Sequence, residues 1–117
     1  MRAVIQRTFH SALYVDGKLI SEIPSGLTIF LGIEKGDTEA QADYFAGKMA
    51  KLRVFRDENE KMNLNILQAG GEILLVSQFS LAGTLGKGSG NRPDFGKAEE
   101  PVRAKYLYEY ITEKIRE

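Results

Sequence analysis

Leu27-Thr28-Ile29-Phe30-Leu31-Gly32-Ile33, LTIFLGI, is a nearly unbroken apolar run near the start of a 117-residue chain. A strand with one face in water alternates apolar and polar residues. A run apolar at successive positions belongs to a strand covered on both faces. LTIFLGI therefore reads as the central strand of a sheet. Working upstream, Pro24-Ser25-Gly26 turns the chain into it, with the residue types that tight turns use. Lys18 to Ile23 reads as a strand returning from Asp16-Gly17. That dipeptide is a hairpin signal, because both central positions of a type I′ turn need positive φ. Residues 2–15, rich in Val, Ile, Phe, Leu and Tyr, read as the first strand. The three strands together are expected to form a meander.

Downstream, Glu34-Lys35-Gly36-Asp37 reads as a loop, and Thr38 with Gln41 has the form of a capping box. Ala42, Phe45, Ala46, Met49 and Leu52 follow at helical spacing, which predicts an amphipathic helix over 38–51. Leu52 to Phe55 reads as a short strand and Asp57-Glu58-Asn59-Glu60 as a polar turn. Met62 to Ile66 alternates like a half-exposed strand. Gln68-Ala69-Gly70-Gly71 then turns into a strand over 72–79. Pro101 suits a first helical turn. Leu107, Tyr110, Ile111 and Ile115 mark one face of a second helix, roughly 100–116. The order βββαβββα predicts one α/β domain over residues 1–117, with mostly antiparallel, hairpin-rich sheets layered against two helices.

Composition narrows the chemistry. Sixteen basic residues balance sixteen acidic ones, so no global field draws the chain to nucleic acid or anionic lipid. Any nucleic-acid contact must be a local patch. There is no cysteine, which excludes disulfides, thiol nucleophiles and zinc-thiolate sites. His10 is the only histidine, which excludes a multi-histidine metal site within one chain and leaves little room for a Ser-His pair. No apolar run approaches membrane-spanning length, and Met1-Arg2-Ala3-Val4 lacks a signal-peptide layout. The expectation is a cytoplasmic protein with no membrane association, no metal and no cofactor.

The chemistry-bearing stretch is Gly71–Phe95, GEILLVSQFSLAGTLGKGSGNRPDF. An apolar strand ends abruptly in Ser77-Gln78-Phe79-Ser80. Strand-end hydroxyls commonly cap local backbone. The functional alternative has main-chain N–H groups of Phe79 and Ser80 donating to a developing oxyanion, with a hydroxyl near the reacting carbonyl. Serine as a nucleophile would need a base. The glycine-rich segment 83–90 suggests a phosphate loop, but such a loop needs Lys followed directly by Ser or Thr at the mouth of a helix. Gly88 follows Lys87 instead, and Asn91-Arg92-Pro93 opposes an immediate helix. Lys87 and Arg92 are either solvated charges or contacts to a phosphate backbone. Arg7, between Gln6 and Thr8, is either an exposed strand residue or a donor to carbonyls or a carboxylate in a site. Asp57, Glu58 and Glu60 are a turn first and a metal site only as a remote alternative.

Together these residues resemble the D-aminoacyl-tRNA deacylase family along almost the whole chain. The resemblance is carried by Ile5-Gln6-Arg7, Gly32-Ile33-Glu34, Lys61-Met62-Asn63-Leu64, Val76-Ser77-Gln78-Phe79-Ser80-Leu81 and Arg92-Pro93-Asp94-Phe95. Ser80 stands where the family usually has threonine, which keeps the hydroxyl. The resemblance implies hydrolysis of the ester between a D-amino acid, or glycine, and the terminal ribose of tRNA, a proofreading step in translation. It implies a homodimer with sites at the subunit interface. Ser77, Gln78, Phe79 and Ser80 would face the ester at the 3′ terminal adenosine. Arg7, Lys87 and Arg92 would contact substrate and the tRNA acceptor end. It leaves two routes open, the Ser80 hydroxyl as nucleophile or the tRNA's own 2′-hydroxyl assisting an attacking water. The family also carries a C-terminal segment with an Asn-x-Gly-Pro motif that rejects L-amino acids and that an arginine like Arg7 holds in place. The sequence ends at Glu117 without a Gly-Pro, so the expectation is a shortened deacylase with a catalytic core but without that filter. The alternatives are a naturally short relative of altered specificity and a non-catalytic aminoacyl-tRNA-binding module.

Overall fold

The computed structural model describes residues 1–78, Leu81 and 97–116. In chain order the elements are β1 (Arg2–Thr8), β2 (Ser11–Val15), β3 (Lys18–Ile23), β4 (Gly26–Gly32), α1 (Glu39–Lys51), β5 (Phe55–Arg56), β6 (Met62–Leu64), α2 (Ile66–Ala69), β7 (Glu72–Ser77) and α3 (Pro101–Arg116).

The apolar run forms β4, the middle strand of a three-stranded sheet ordered β1-β4-β7. Leu27, Ile29 and Leu31 point to one face and have no solvent exposure. Removing each such side chain from water contributes about 1.5–3 kcal/mol. Leu27 and Ile29 pack with Met49 of α1, Phe55 and Ile66. Leu31 packs with Ala42 of α1 and with Leu107 and Ile111 of α3. Phe45, Ala3 and Leu75 touch both groups, so one continuous core lies between this face and the helices.

Local signals are realised as their chemistry requires. Asp16 and Gly17 both have positive φ, 52° and 79°, as a type I′ turn demands. The Thr38 main-chain N–H donates to Gln41 Oε1 at 2.8 Å, and the Thr38 hydroxyl accepts from the Ala40 N–H at 3.3 Å. Leu107 and Ile111 are fully buried on the expected stripe of α3.

Strand pairing departs from the expected meander. The first strand is two: β1 ends at Thr8, and Phe9-His10 interrupts it before β2. β1 pairs antiparallel with β4, from Arg2 opposite Gly32 to Thr8 opposite Gly26, whereas β2 and β3 form their own two-stranded sheet. The reason is burial: Ala3 and Ile5 gain core contacts only beside β4. β4 and β7 run parallel, because residues 33–71 cross over through α1, β5, β6 and α2 before returning. Ile66 leaves the expected strand because Asn65 caps a third, short helix, accepting from the Gln68 N–H at 2.9 Å. Leu52 ends α1, donating its N–H to the Lys48 carbonyl, so the expected strand from 52 shrinks to Phe55–Arg56.

Helices α1 and α3 are clasped at their polar edge. The Tyr110 hydroxyl donates to Asp43 Oδ1 at 2.8 Å, and Arg103 lies 3.4 Å from Glu39. The hydrogen bond to Asp43 is the main reason the Tyr110 phenol is pushed up to about 12. A raised phenol pKa stabilises the fold fully below the unfolded value of about 10, and the contribution is lost as pH rises through the folded value. Tyr110→Phe should therefore lower the melting temperature at neutral pH. The gap between the two proteins should close as pH approaches 12, and the variant should lose its most alkaline tyrosinate absorbance transition.

Candidate active site

The candidate site lies at the carboxyl ends of the parallel pair β4 and β7, the place where open α/β sheets commonly bind ligands. Ser77 is opposite Leu31. The Gln78 N–H donates to the Leu31 carbonyl at 2.8 Å, which carries the ladder one step beyond β7. The Leu81 N–H donates to the Gln78 carbonyl at 3.3 Å. The loop after β4 is braced by Asp37, whose Oδ2 accepts from the Glu34 N–H at 2.8 Å.

Residues far along the chain return to the same place. The Lys35 N–H donates to the Lys97 carbonyl and the Glu99 N–H to the Ile33 carbonyl, each at 2.9 Å. This pairs Glu34 with Ala98 and sets the start of α3 beside the strand ends. Between them is an open cavity of about 680 Å³ lined by Ser77, Lys35, Ala98, Pro101, Lys105 and Tyr108, among others. The Tyr108 hydroxyl donates to the Leu75 carbonyl at 2.7 Å, and burial pushes its pKa up. It is a neutral fixture of the wall rather than a proton carrier near pH 7.

Glu99 and Glu100 also line the cavity, and one oxygen of each carboxylate is engaged. Glu100 Oε1 accepts from the Val102 N–H at 2.9 Å, and Glu99 Oε1 accepts from the Glu100 N–H at 2.8 Å. The helix start is thus capped by its own carboxylates. Two lysines and two glutamates balance in the wall, which suits a substrate that is uncharged at the reacting carbonyl.

The expected site residues fall into three groups. Ser77 and Gln78 stand at the strand end as expected. Phe79, Ser80, Lys87 and Arg92 lie outside the described residues. Arg7 sits opposite Leu27, four residues along β4 from the Leu31 partner of Ser77, and two strands across from it, on the same face but roughly 16 Å away by strand rise and strand spacing. Its Nη1 donates to the Val54 carbonyl at 2.7 Å. One protomer therefore does not bring Arg7 to Ser77. His10 is engaged elsewhere, with Nε2 3.2 Å from Glu22 Oε2. Asp57 is a turn cap: Oδ1 accepts from the N–H groups of Asn59 at 2.8 Å and Lys61 at 3.1 Å. The Lys61 bond is the largest cause of its lowered pKa. Among the described residues no cluster of three potential ligands could hold a metal ion.

Sequence reasoning missed Lys35, Ala98, Lys105 and Tyr108. Tyr108 lies on the apolar stripe of α3, packed against the Leu107 and Ile111 cluster, so the sequence marks it as core rather than as cavity wall. Nothing local marks Lys35 or Ala98, whose positions depend on pairing across the sheet.

The fold and the strand-end cavity define the class: a mixed α/β domain with one helix-covered sheet and an open cavity at the ends of its parallel strands. A model of the family described as D-Tyr-tRNA(Tyr) deacylase matches residues 4–117, and the chain belongs to that family. It is similar to the D-aminoacyl-tRNA deacylase of Persephonella marina, with 51% identity over all of this chain and 78% of that protein. Among solved structures it is similar to a c-Myc DNA unwinding element binding protein, with 36% identity, a TM-score of 0.89 and coverage of 99% of this chain and 76% of the other. A probable eukaryotic D-amino acid tRNA deacylase shares the fold at 15% identity and a TM-score of 0.80, over 97% and 66% of the two chains.

Proposed function

We propose that the chain is a D-aminoacyl-tRNA deacylase, a hydrolase that cleaves the ester joining a D-amino acid to the terminal ribose of tRNA. The observation that carries this reading is identity of about half the residues, over the whole chain, with a D-aminoacyl-tRNA deacylase. That degree of similarity to an enzyme does not favour the non-catalytic alternative.

In the mechanism proposed here, the ester carbonyl sits beyond Ser77 and Gln78 with its oxygen towards the main-chain N–H groups of Phe79 and Ser80. Water adds to the carbonyl carbon, and the negative charge that develops on oxygen is met by those two donors. The tetrahedral species then expels the ribose oxygen, which takes up a proton. No histidine lines the described part of the cavity, and one oxygen of each of its two glutamates accepts a main-chain N–H at the start of α3. This supports assistance to the attacking water by the tRNA's own 2′-hydroxyl, because an unactivated serine is a poor nucleophile. The protein then contributes position and electrostatics. Lys87 and Arg92 are assigned to the acceptor-end phosphates.

The separation of Arg7 from Ser77 supports a homodimer in which the Arg7 end of one protomer meets the strand end of its partner. No described helix is long and apolar enough to cross a membrane. A substrate charged for translation accords with a cytoplasmic location.

The test is release of amino acid from D- and L-aminoacylated forms of one tRNA. Release of the D-amino acid is expected. Release of neither would overturn the reading. Comparable release of both would support ester hydrolysis by residues 1–117 without chiral rejection.

A further inference from the structure

A second groove lies at the other end of the sheet, between the end of β1, the β5–β6 pair and α2. It has a volume of about 620 Å³, and Arg7, Phe9, Phe55, Arg56, Leu64 and Gln68 are among the residues lining it. The lining contains two guanidinium groups and no carboxylate. Arg7 is held by the Val54 carbonyl. The Arg56 guanidinium has no hydrogen bond or ion pair among the described residues.

Phe9 stands on the rim and is 94% exposed, more than any other large apolar side chain described. Lone surface apolar residues are ordinary, but this one is held in place. The link that carries it is two residues long and anchored on both sides. Thr8 pairs with Gly26 and its hydroxyl lies 3.4 Å from that of Thr28, while Ser11 pairs with Ile23. The fold thus presents a ring to solvent in the same groove as a cation that has no partner among the described residues.

A free aromatic face next to guanidinium groups is the chemistry that binds single-stranded nucleic acid, with a base stacked on the ring and a phosphate on the cation. An acidic peptide would use the cations and leave the ring without a role. We propose that this groove binds a nucleotide of an unpaired RNA strand, its base stacked on Phe9 and its phosphate on Arg56. The inference rests on the deacylase reading, in which that strand is the one ending in the ester. In the homodimer proposed above, the Arg7 end meets the partner's strand end, so this groove lies beside the partner's cavity rather than within it. The groove therefore serves the tRNA end upstream of the terminal adenosine rather than the adenosine itself.

The experiment compares Phe9→Ala, Phe9→Tyr and Arg56→Gln on two substrates, D-aminoacyl-tRNA and the D-aminoacyl ester of adenosine alone. Phe9→Ala should raise KM for the tRNA substrate about tenfold with kcat unchanged, and Phe9→Tyr should restore it. All three variants should match the wild type on the adenosine ester, which has no nucleotide to place in the groove. Binding of labelled uncharged tRNA should weaken in Phe9→Ala and Arg56→Gln. For Arg56→Gln the slope of log K against log salt should fall by about 0.7, the loss of one single-strand phosphate contact. Unchanged tRNA affinity in both variants would overturn the proposal, as would equal losses on the two substrates. A wild type that cleaves neither substrate would defeat the deacylase reading instead, and the binding series would still decide whether the groove takes RNA.

Discussion

Replacing Ser80 with proline should lower kcat on D-aminoacyl-tRNA by about 10²–10³-fold, while Ser80→Ala leaves it nearly unchanged. The two substitutions remove different things. Alanine deletes the hydroxyl and keeps the main-chain N–H. Proline deletes the N–H as well, and with it one of the two proposed oxyanion donors. If the serine hydroxyl were the nucleophile, alanine would be as damaging as proline. A serine without an activating base is a poor nucleophile, and the one histidine of the chain, His10, is paired with Glu22. Single-turnover rates at saturating enzyme measure the effect, and circular dichroism with thermal melts shows whether each variant folds. Equal losses in a folded Ser80→Ala protein would assign the chemistry to the hydroxyl and overturn the substrate-assisted route.

The second large effect is on folding. Gly26→Ala should destabilise the protein by about 3 kcal/mol or more, read as a lower urea midpoint. A Cβ at Gly26 would lie 1.8 Å from the Glu72 carbonyl oxygen and 2.7 Å from its nitrogen. Those atoms are backbone, so no rotamer change relieves the overlap. The only relief is to part β4 from β7 where their parallel ladder begins, Gly26 opposite Glu72. Because the same ladder sets Ser77 beside Leu31, activity should fall with stability. Gly47→Ala is the contrasting control. It lies inside α1, and a Cβ there meets nothing within 4 Å. Exchanging glycine for alanine in a helix interior should stabilise by about 0.5–1 kcal/mol. A Gly26→Ala protein as stable as the wild type would mean that the strands do not approach each other as closely as described.

The parts of the fold legible in the sequence are those whose causes lie within a few residues. Asp16-Gly17 specifies its turn through two positive φ angles. Thr38 and Gln41 specify a helix start through hydrogen bonds three residues apart. The spacing of Leu107 and Ile111 names the face of α3 that is buried. The motif around Ser77 was legible for the same reason, as a strand that changes from apolar to polar at one point. Pairing was not legible in this way. Adjacent strands in sequence suggested a meander, yet β1 bypasses β2 and β3 to reach β4. Nothing in EILLVS distinguishes a parallel from an antiparallel partner. Arg7 and Ser77 fitted one site by motif, but the register of β1 and β7 against β4 sets them at opposite ends. The Lys35 and Ala98 walls of the cavity were invisible because each depends on a segment more than sixty positions away.

By itself, then, the sequence determined that LTIFLGI would be the sheet's centre, that the strand after Gly71 would change from apolar to polar at its end, and that the chain resembles the D-aminoacyl-tRNA deacylase family. Apolar periodicity and turn chemistry are local properties, and they are written in neighbouring residues. Only the tertiary structure decided that β7 runs parallel to β4, that the start of α3 closes the strand-end cavity, and that Arg7 faces a separate basic groove beside Phe9. Those outcomes depend on which apolar faces can be buried together across a long crossover, a condition that no short stretch of sequence contains.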